Sequence, residues 1–137
     1  MKTIDINYEQ NVKIFNFPDG QPHVNVLNIK EGDDVEVICS MTSSNKVLEL
    51  LQVSNALDNI FARKKVLTIP YLMGARYDRI MLPGDSFGLK VIANLINSCG
   101  FEKVILFDPH SSVSTALINN CIEVTNKALV TVYDMSD

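Results

Sequence analysis

Apolar and polar residues are patterned in two different ways along this 137-residue chain. Up to residue 30 they alternate, in Thr3-Ile4-Asp5-Ile6-Asn7, in Val12-Lys13-Ile14-Phe15-Asn16-Phe17 and in His23-Val24-Asn25-Val26-Leu27-Asn28-Ile29. Period-two alternation predicts strands with one wet and one buried face, antiparallel by expectation. Pro18-Asp19-Gly20-Gln21-Pro22 joins the last two runs, and its Asp-Gly pair suits a hairpin turn.

A second turn, Glu31-Gly32-Asp33-Asp34, ends this texture. Val35 to Cys39 reads as a strand. From Ser44 to about Ala62, apolar residues recur at helical spacing: Val47, Leu50, Leu51, Leu57, Ile60 and Phe61. Lys46, Glu49, Asn55 and Asn59 are expected on the opposite face. A buried strand, Val66–Ile69, follows. Pro83-Gly84-Asp85-Ser86 then starts a helix over Phe87 to Ser98, with Ser86 as its cap and Gly100 as its stop. The strand Val104–Phe107, a short helix from about Ser111 to Asn119 and the strand-like Ile122-Glu123-Val124 complete the pattern. Leu129 to Tyr133 fits one further strand. Near-continuous apolar strands alternating with helices predict right-handed crossovers and a mainly parallel sheet with helices on both faces. The expected fold is therefore a single α/β domain over 1–137 with an antiparallel N-terminal hairpin.

Composition narrows the class without changing the fold. The chain is 47% hydrophobic and 20% charged, with a net charge of −4 and no long basic run, so nothing favours a nucleic acid partner. Its longest apolar runs are strand-sized, and no charged-then-apolar leader opens it, which argues against a membrane span or a secretion signal. Cys39, Cys99 and Cys121 lie far apart in or beside apolar segments. That pattern predicts reduced core thiols and a cytoplasmic setting, not disulfides or zinc.

Two apolar strands end in ionisable loops, and ligands of open parallel sheets sit beyond such carboxyl ends. Ile69-Pro70-Tyr71 leads to Arg76, Asp78 and Arg79. Arginine suits phosphate because its planar fork donates two parallel hydrogen bonds, although a surface pair with Asp78 satisfies the same spacing. Asp108 and His110 lie two apart at the next strand end, so an extended backbone would point both one way. They suit a metal, a proton-transfer role or a hydrogen-bonded turn. Asp19-Gly20 is by itself a good turn, Phe17 suits core or interface, and His23 has no evident partner. There is no Walker loop or dinucleotide fingerprint. A receiver domain is set aside, because Cys39-Ser40-Met41 offers no paired carboxylates.

Four motifs in order carry a resemblance. Phe17-Pro18-Asp19-Gly20-Gln21, Leu48-Glu49-Leu50-Leu51, the run from Ile69-Pro70-Tyr71 to Ala75-Arg76-Tyr77-Asp78-Arg79, and Asp108-Pro109-His110 are similar to motifs of ribose-phosphate pyrophosphokinase, also called phosphoribosyl-pyrophosphate synthetase. Gly84 to Lys90 also lines up with that family's N-terminal half, and the likeness covers residues from about 15 to 125. The family transfers pyrophosphate from ATP to ribose 5-phosphate with magnesium, on paired phosphoribosyltransferase-like domains assembled into homo-oligomers. The resemblance implies that Asp19, Gly20 and Gln21, with Phe17 nearby, lie against the adenine of ATP on a neighbouring subunit. It implies that Arg76 and Tyr77 approach the ATP phosphates and that His110 ligates Mg2+.

The chain departs from the family at Gln21 for Glu, Tyr77 for Gln, Gly84 for Arg and Pro109 for Leu, and in the strand-rich lead before Phe17. No stretch up to Asp137 matches the family's second, ribose-phosphate-binding domain. Two functions follow as expectations: the ATP and magnesium side of a synthetase, inactive alone, or a non-catalytic relative that oligomerises with or regulates a full-length one.

Overall fold

The computed structural model describes residues 1–72, 82–107 and 112–124, with the backbone alone at 112 and 113. In chain order the elements are β1 (Lys2–Asp5), β2 (Val12–Asn16), β3 (Pro22–Val26), β4 (Asp34–Ile38), α1 (Ser44–Ile60), β5 (Lys64–Ile69), α2 (Gly88–Ser98), β6 (Lys103–Phe107), α3 (Ser112–Leu117) and β7 (Cys121–Val124). Five strands form a sheet in the order β1-β4-β5-β6-β7, each neighbouring pair parallel. β2 and β3 form a separate antiparallel hairpin. The fold is thus the expected α/β class, a mainly parallel sheet with helices plus a small hairpin. The suggested strand Leu129–Tyr133 lies outside the described residues.

The lead is antiparallel only in part. β1 pairs in parallel with β4, Lys2 opposite Val35 and Asp5 opposite Ile38. Alternation over Thr3–Asn7 correctly marks Ile4 and Ile6 as buried. It says which face is wet, not which strand lies alongside.

Of the two expected helical layers, the described residues supply one. β4, β5, β6 and β7 follow one another across the sheet in a single direction. Right-handed crossovers then deliver all three helices to the same face. For α1 and α2, Lys65 on β5 shows this directly, since its Nζ reaches Ser54 Oγ of α1 at 2.9 Å and the Cys99 carbonyl at the end of α2 at 2.7 Å. The same ammonium pairs with Asp58 at 2.8 Å and lies 5.3 Å from the Phe101 ring centroid. Only 9% exposed, Lys65 bolts both helices to the sheet. Val35, Val37, Leu67, Ile69, Val104 and Leu106 of the strands pack with Leu50, Val53, Leu57, Leu89, Ala93 and Ile96 of the helices as one core.

Three details of the helices differ from the periodic reading. Glu49, assigned to the wet face, is buried, and Lys46 one turn earlier pairs with it at 2.9 Å. Phe61, assigned to the core face, is 72% exposed, because α1 stops just before it. It adopts φ 63° and its N–H bonds to the Asp58 carbonyl while that of Ala62 bonds to Leu57, a Schellman closure in which glycine is usual. Ser86 does not cap α2; Phe87 occupies that position and contributes no side-chain hydrogen bond. At the other end the helix closes as expected, with Gly100 at φ +71°.

Candidate functional site

The carboxyl ends of the strands are stitched together where the ionisable loops begin. Ile6 N–H donates to the Ile38 carbonyl at 3.0 Å, and Cys39 N–H to Thr68 at 3.0 Å. The Asn7 side chain both donates to the Ser40 carbonyl at 3.0 Å and accepts from the Ser40 N–H at 2.7 Å. Met41 N–H reaches the Tyr71 carbonyl at 2.7 Å, and Met41 bridges in parallel to Leu72. Pairing therefore continues past the strands proper, so the 73–81 segment leaves from a fixed point. β6 lies beside β5, Ile69 opposite Leu106, and the 108–111 segment leaves from its end. Two neighbouring parallel strands thus launch both segments from the carboxyl end of the sheet. Arg76, Tyr77, Asp78, Arg79, Asp108 and His110 themselves lie outside the described residues.

The hairpin carries the other predicted residues, and all are described. Phe17 N–H donates to the Gln21 carbonyl at 2.9 Å, and Gly20 N–H donates to the Phe17 carbonyl at 2.7 Å. Asp19 Oδ1 accepts from the Gln21 N–H at 3.0 Å. Gly20 takes φ +89°, the left-handed geometry that a turn followed by a one-residue bulge demands. Phe17, Asp19, Gly20 and Gln21 are all exposed. Phe17 is therefore not core.

The sequence reading missed what surrounds Phe17. The bulged loop sets Phe15 directly opposite His23, and the rings of Phe15, Phe17 and His23 form one exposed cluster. His23 thus has partners. The signal was present, since Pro-Asp-Gly fixes the loop length and hence the cross-strand register.

A glutamine ties the hairpin to the body. Gln52 of α1 accepts from the Val24 N–H at 3.2 Å and donates to the Pro22 carbonyl at 2.9 Å, completing β3 as a third strand would. The hairpin thereby packs along α1, whereas the 73–81 and 108–111 segments leave from the carboxyl end of the sheet.

The thiols are chemically quiet. Burial pushes Cys39 up to about 12 and Cys121 up to about 11, and raises Cys99 as well, so none supplies thiolate at neutral pH. Among the described residues no group of three His, Cys, Asp or Glu could hold a metal ion. None of the described helices is long and apolar enough to cross a membrane. An apolar groove of about 430 Å3 runs between α1 and α2, lined in part by Leu48, Val91 and Leu95.

Comparison with known proteins places this geometry. A family model described as the N-terminal domain of ribose phosphate pyrophosphokinase matches residues 2–100. Ribose-phosphate pyrophosphokinase 1, chloroplastic, of Arabidopsis thaliana is 35% identical over 106 residues, 75% of this chain and 26% of the relative. The ribose-phosphate pyrophosphokinase of Bacillus caldolyticus is 34% identical over 97 residues, 69% of this chain and 31% of the relative. The chain thus spans about a quarter to a third of the length of these relatives. Its fold is also that of the phosphoribosylpyrophosphate synthetase of Mycobacterium smegmatis, with a TM-score of 0.77 at 18% identity, covering 91% of this chain and 43% of that one. With the family match running from β1 through α2, the chain belongs to the ribose phosphate pyrophosphokinase N-terminal domain family.

Proposed function

We propose that this chain supplies the ATP and Mg2+ side of a ribose-phosphate pyrophosphokinase, which transfers pyrophosphate from ATP to ribose 5-phosphate, and that it works as a homo-oligomer. The observation that carries the reading is the adjacency of β5 and β6, whose carboxyl ends launch the segment that holds Arg76 and Tyr77 and the segment that holds His110. In this reading Arg76 and Tyr77 grip the ATP phosphates, the guanidinium through two parallel hydrogen bonds. His110 holds magnesium, which supplies charge neutralisation to the phosphates. Phe17, Asp19, Gly20 and Gln21 lie against the base of ATP on a neighbouring subunit, which is why a split site needs at least a dimer. In this reading the ribose-phosphate side comes from outside residues 1–137, and positioning carries most phosphoryl-type catalysis, so these residues alone form no product.

The departures at Gln21 and Tyr77 favour a second reading, a non-catalytic relative that associates with a full-length synthetase. Titration calorimetry with magnesium-ADP separates the two. Arg76→Ala is expected to weaken binding by on the order of tenfold to a hundredfold, the value of a charge-assisted contact. Arg76→Lys recovers part of the loss, because a point charge cannot reproduce the fork. Equal binding by wild type and Arg76→Ala, or binding by neither, defeats the nucleotide reading. Turnover of ATP and ribose 5-phosphate by the pure chain, abolished in His110→Ala, defeats the claim that it is inactive alone.

A further inference from the structure

Phe17 does not stand alone on the hairpin. Phe15 and His23 face each other across the strands, with ring centroids 5.0 Å apart and planes tilted by 46°. Phe17 meets Phe15 edge-on at 5.7 Å and 78°, and its centroid lies 6.0 Å from that of His23. Phe15 and Phe17 are each 48% exposed, and His23 is exposed, while Val12 and Val24 on the inner face are buried. The three rings are therefore packed on one another in water, and they add nothing to the core. Edge-to-face contact restrains each ring, and the Gln52 clamp restrains the strand beneath them.

We propose that Phe15 and His23 are positioning residues that fix the Phe17 ring, the one ring whose face then stacks the purine base of a nucleotide. This rests on the reading that Phe17 lies against a base. Three features select that occupant. An aromatic face stacks a planar base, and with the three rings inclined to one another by 46–78° that face is Phe17's alone. A ring already held in place loses little rotamer freedom on binding. At the adjoining turn the Asp19 carboxylate spends Oδ1 on the Gln21 N–H, and its other oxygen is an acceptor suited to an exocyclic amine.

The test titrates the chain and its variants with magnesium-ADP and with inorganic tripolyphosphate, which has phosphates and no base. Phe15→Ala and His23→Ala are each expected to weaken ADP binding about 3- to 10-fold while tripolyphosphate binds as before. His23→Phe keeps a ring and restores affinity; Phe15→Leu keeps bulk without a ring and does not. In NMR spectra the adenine H8 resonance moves upfield on wild type, and moves less on Phe15→Leu. If Phe17→Ala weakens ADP binding but Phe15→Leu and His23→Ala do not, Phe17 acts alone: the base-site reading survives and the positioning role is overturned. If Phe17→Ala binds ADP as wild type does, or wild type binds none, both fall together. Equal losses for ADP and tripolyphosphate assign Phe15 and His23 to folding alone. Variants that lower the sedimentation mass without touching ADP affinity assign the aromatic face to a second copy. Either result also overturns the positioning role.

Discussion

The hairpin and the parallel sheet use their hydrophobic residues in opposite ways. In the sheet, β5 buries five of its six positions, and helices cover the side chains that face them. In the hairpin, Val12 and Val24 go inward while Phe15, Phe17 and His23 are held outward, and one glutamine supplies much of the polar attachment to α1. The body is fixed by volume filled; the hairpin is fixed by a few directional bonds. A change in the body is therefore felt globally, whereas a change on the outer face of the hairpin alters what the molecule touches.

The sharpest way to test that contrast is Lys65→Ala. It takes the ammonium from Asp58, Ser54 and the Cys99 carbonyl, leaving these last two only their own bond at 3.3 Å, and it opens the space against Phe101. A loss of about 2–4 kcal/mol in a urea melt is expected, less than for a wholly buried pair because Asp58 is partly in water. Lys65→Met, which keeps the packing, should lose less. Next comes Gln52→Ala, which leaves the Val24 N–H and the Pro22 carbonyl without their partner. About 1–2 kcal/mol of local stability should go, read as faster amide exchange along β3. A global melt shifted as far as that of Lys65→Ala would show that the hairpin belongs to the body, and the contrast would collapse.

The smallest effect concerns pH. Asp33 accepts from Lys2 at 2.9 Å and from the Lys30 N–H at 2.7 Å, tying the hairpin's exit to β1. The Lys2 contact first, and then the Lys30 N–H, hold its carboxyl below the ordinary range. A folded-state value below the unfolded one gives stability that is present above the unfolded value and lost as pH falls through the folded one. Acid should therefore loosen the hairpin's exit before it melts the sheet, and Asp33→Asn should flatten that acid limb. Because Asp33 lies in solvent-screened surroundings, the change is expected to be slight. Amide exchange followed at residues 28–33 as pH is lowered checks it.

The legible parts of the sequence were those where one local rule decides. β4, β5, β6, α1 and α2 follow from apolar periodicity and from turn residues such as Gly100. Pro18-Asp19-Gly20 follows from turn chemistry. The parallel pairing of β1 was not legible, because its partner lies beyond the intervening hairpin and alternation carries no partner information. Glu49 read as wet because periodicity weighs each residue alone, while burial was decided by Lys46 one turn away. Phe61 read as core because a left-handed helix end is expected at glycine. Arg76, Tyr77 and His110 lie outside the described residues, and the structure adds only that their segments leave adjacent strands.

The parallel pairing of β1 also bears on the order in which the chain can fold. β1 is made before the hairpin and its sheet partner β4 only after it, so β1 cannot use its hydrogen bonds until both have emerged. The hairpin contacts are local, and Leu27 N–H closes onto the Asn11 carbonyl at its open end. Once formed, the hairpin acts as a clasp that brings the end of β1 near the start of β4 and shortens the loop that remains to be closed. Mutations that weaken the clasp should therefore slow folding more than they hasten unfolding. The same small ribbon that presents aromatic rings to the outside would then be the foothold on which this sheet is started.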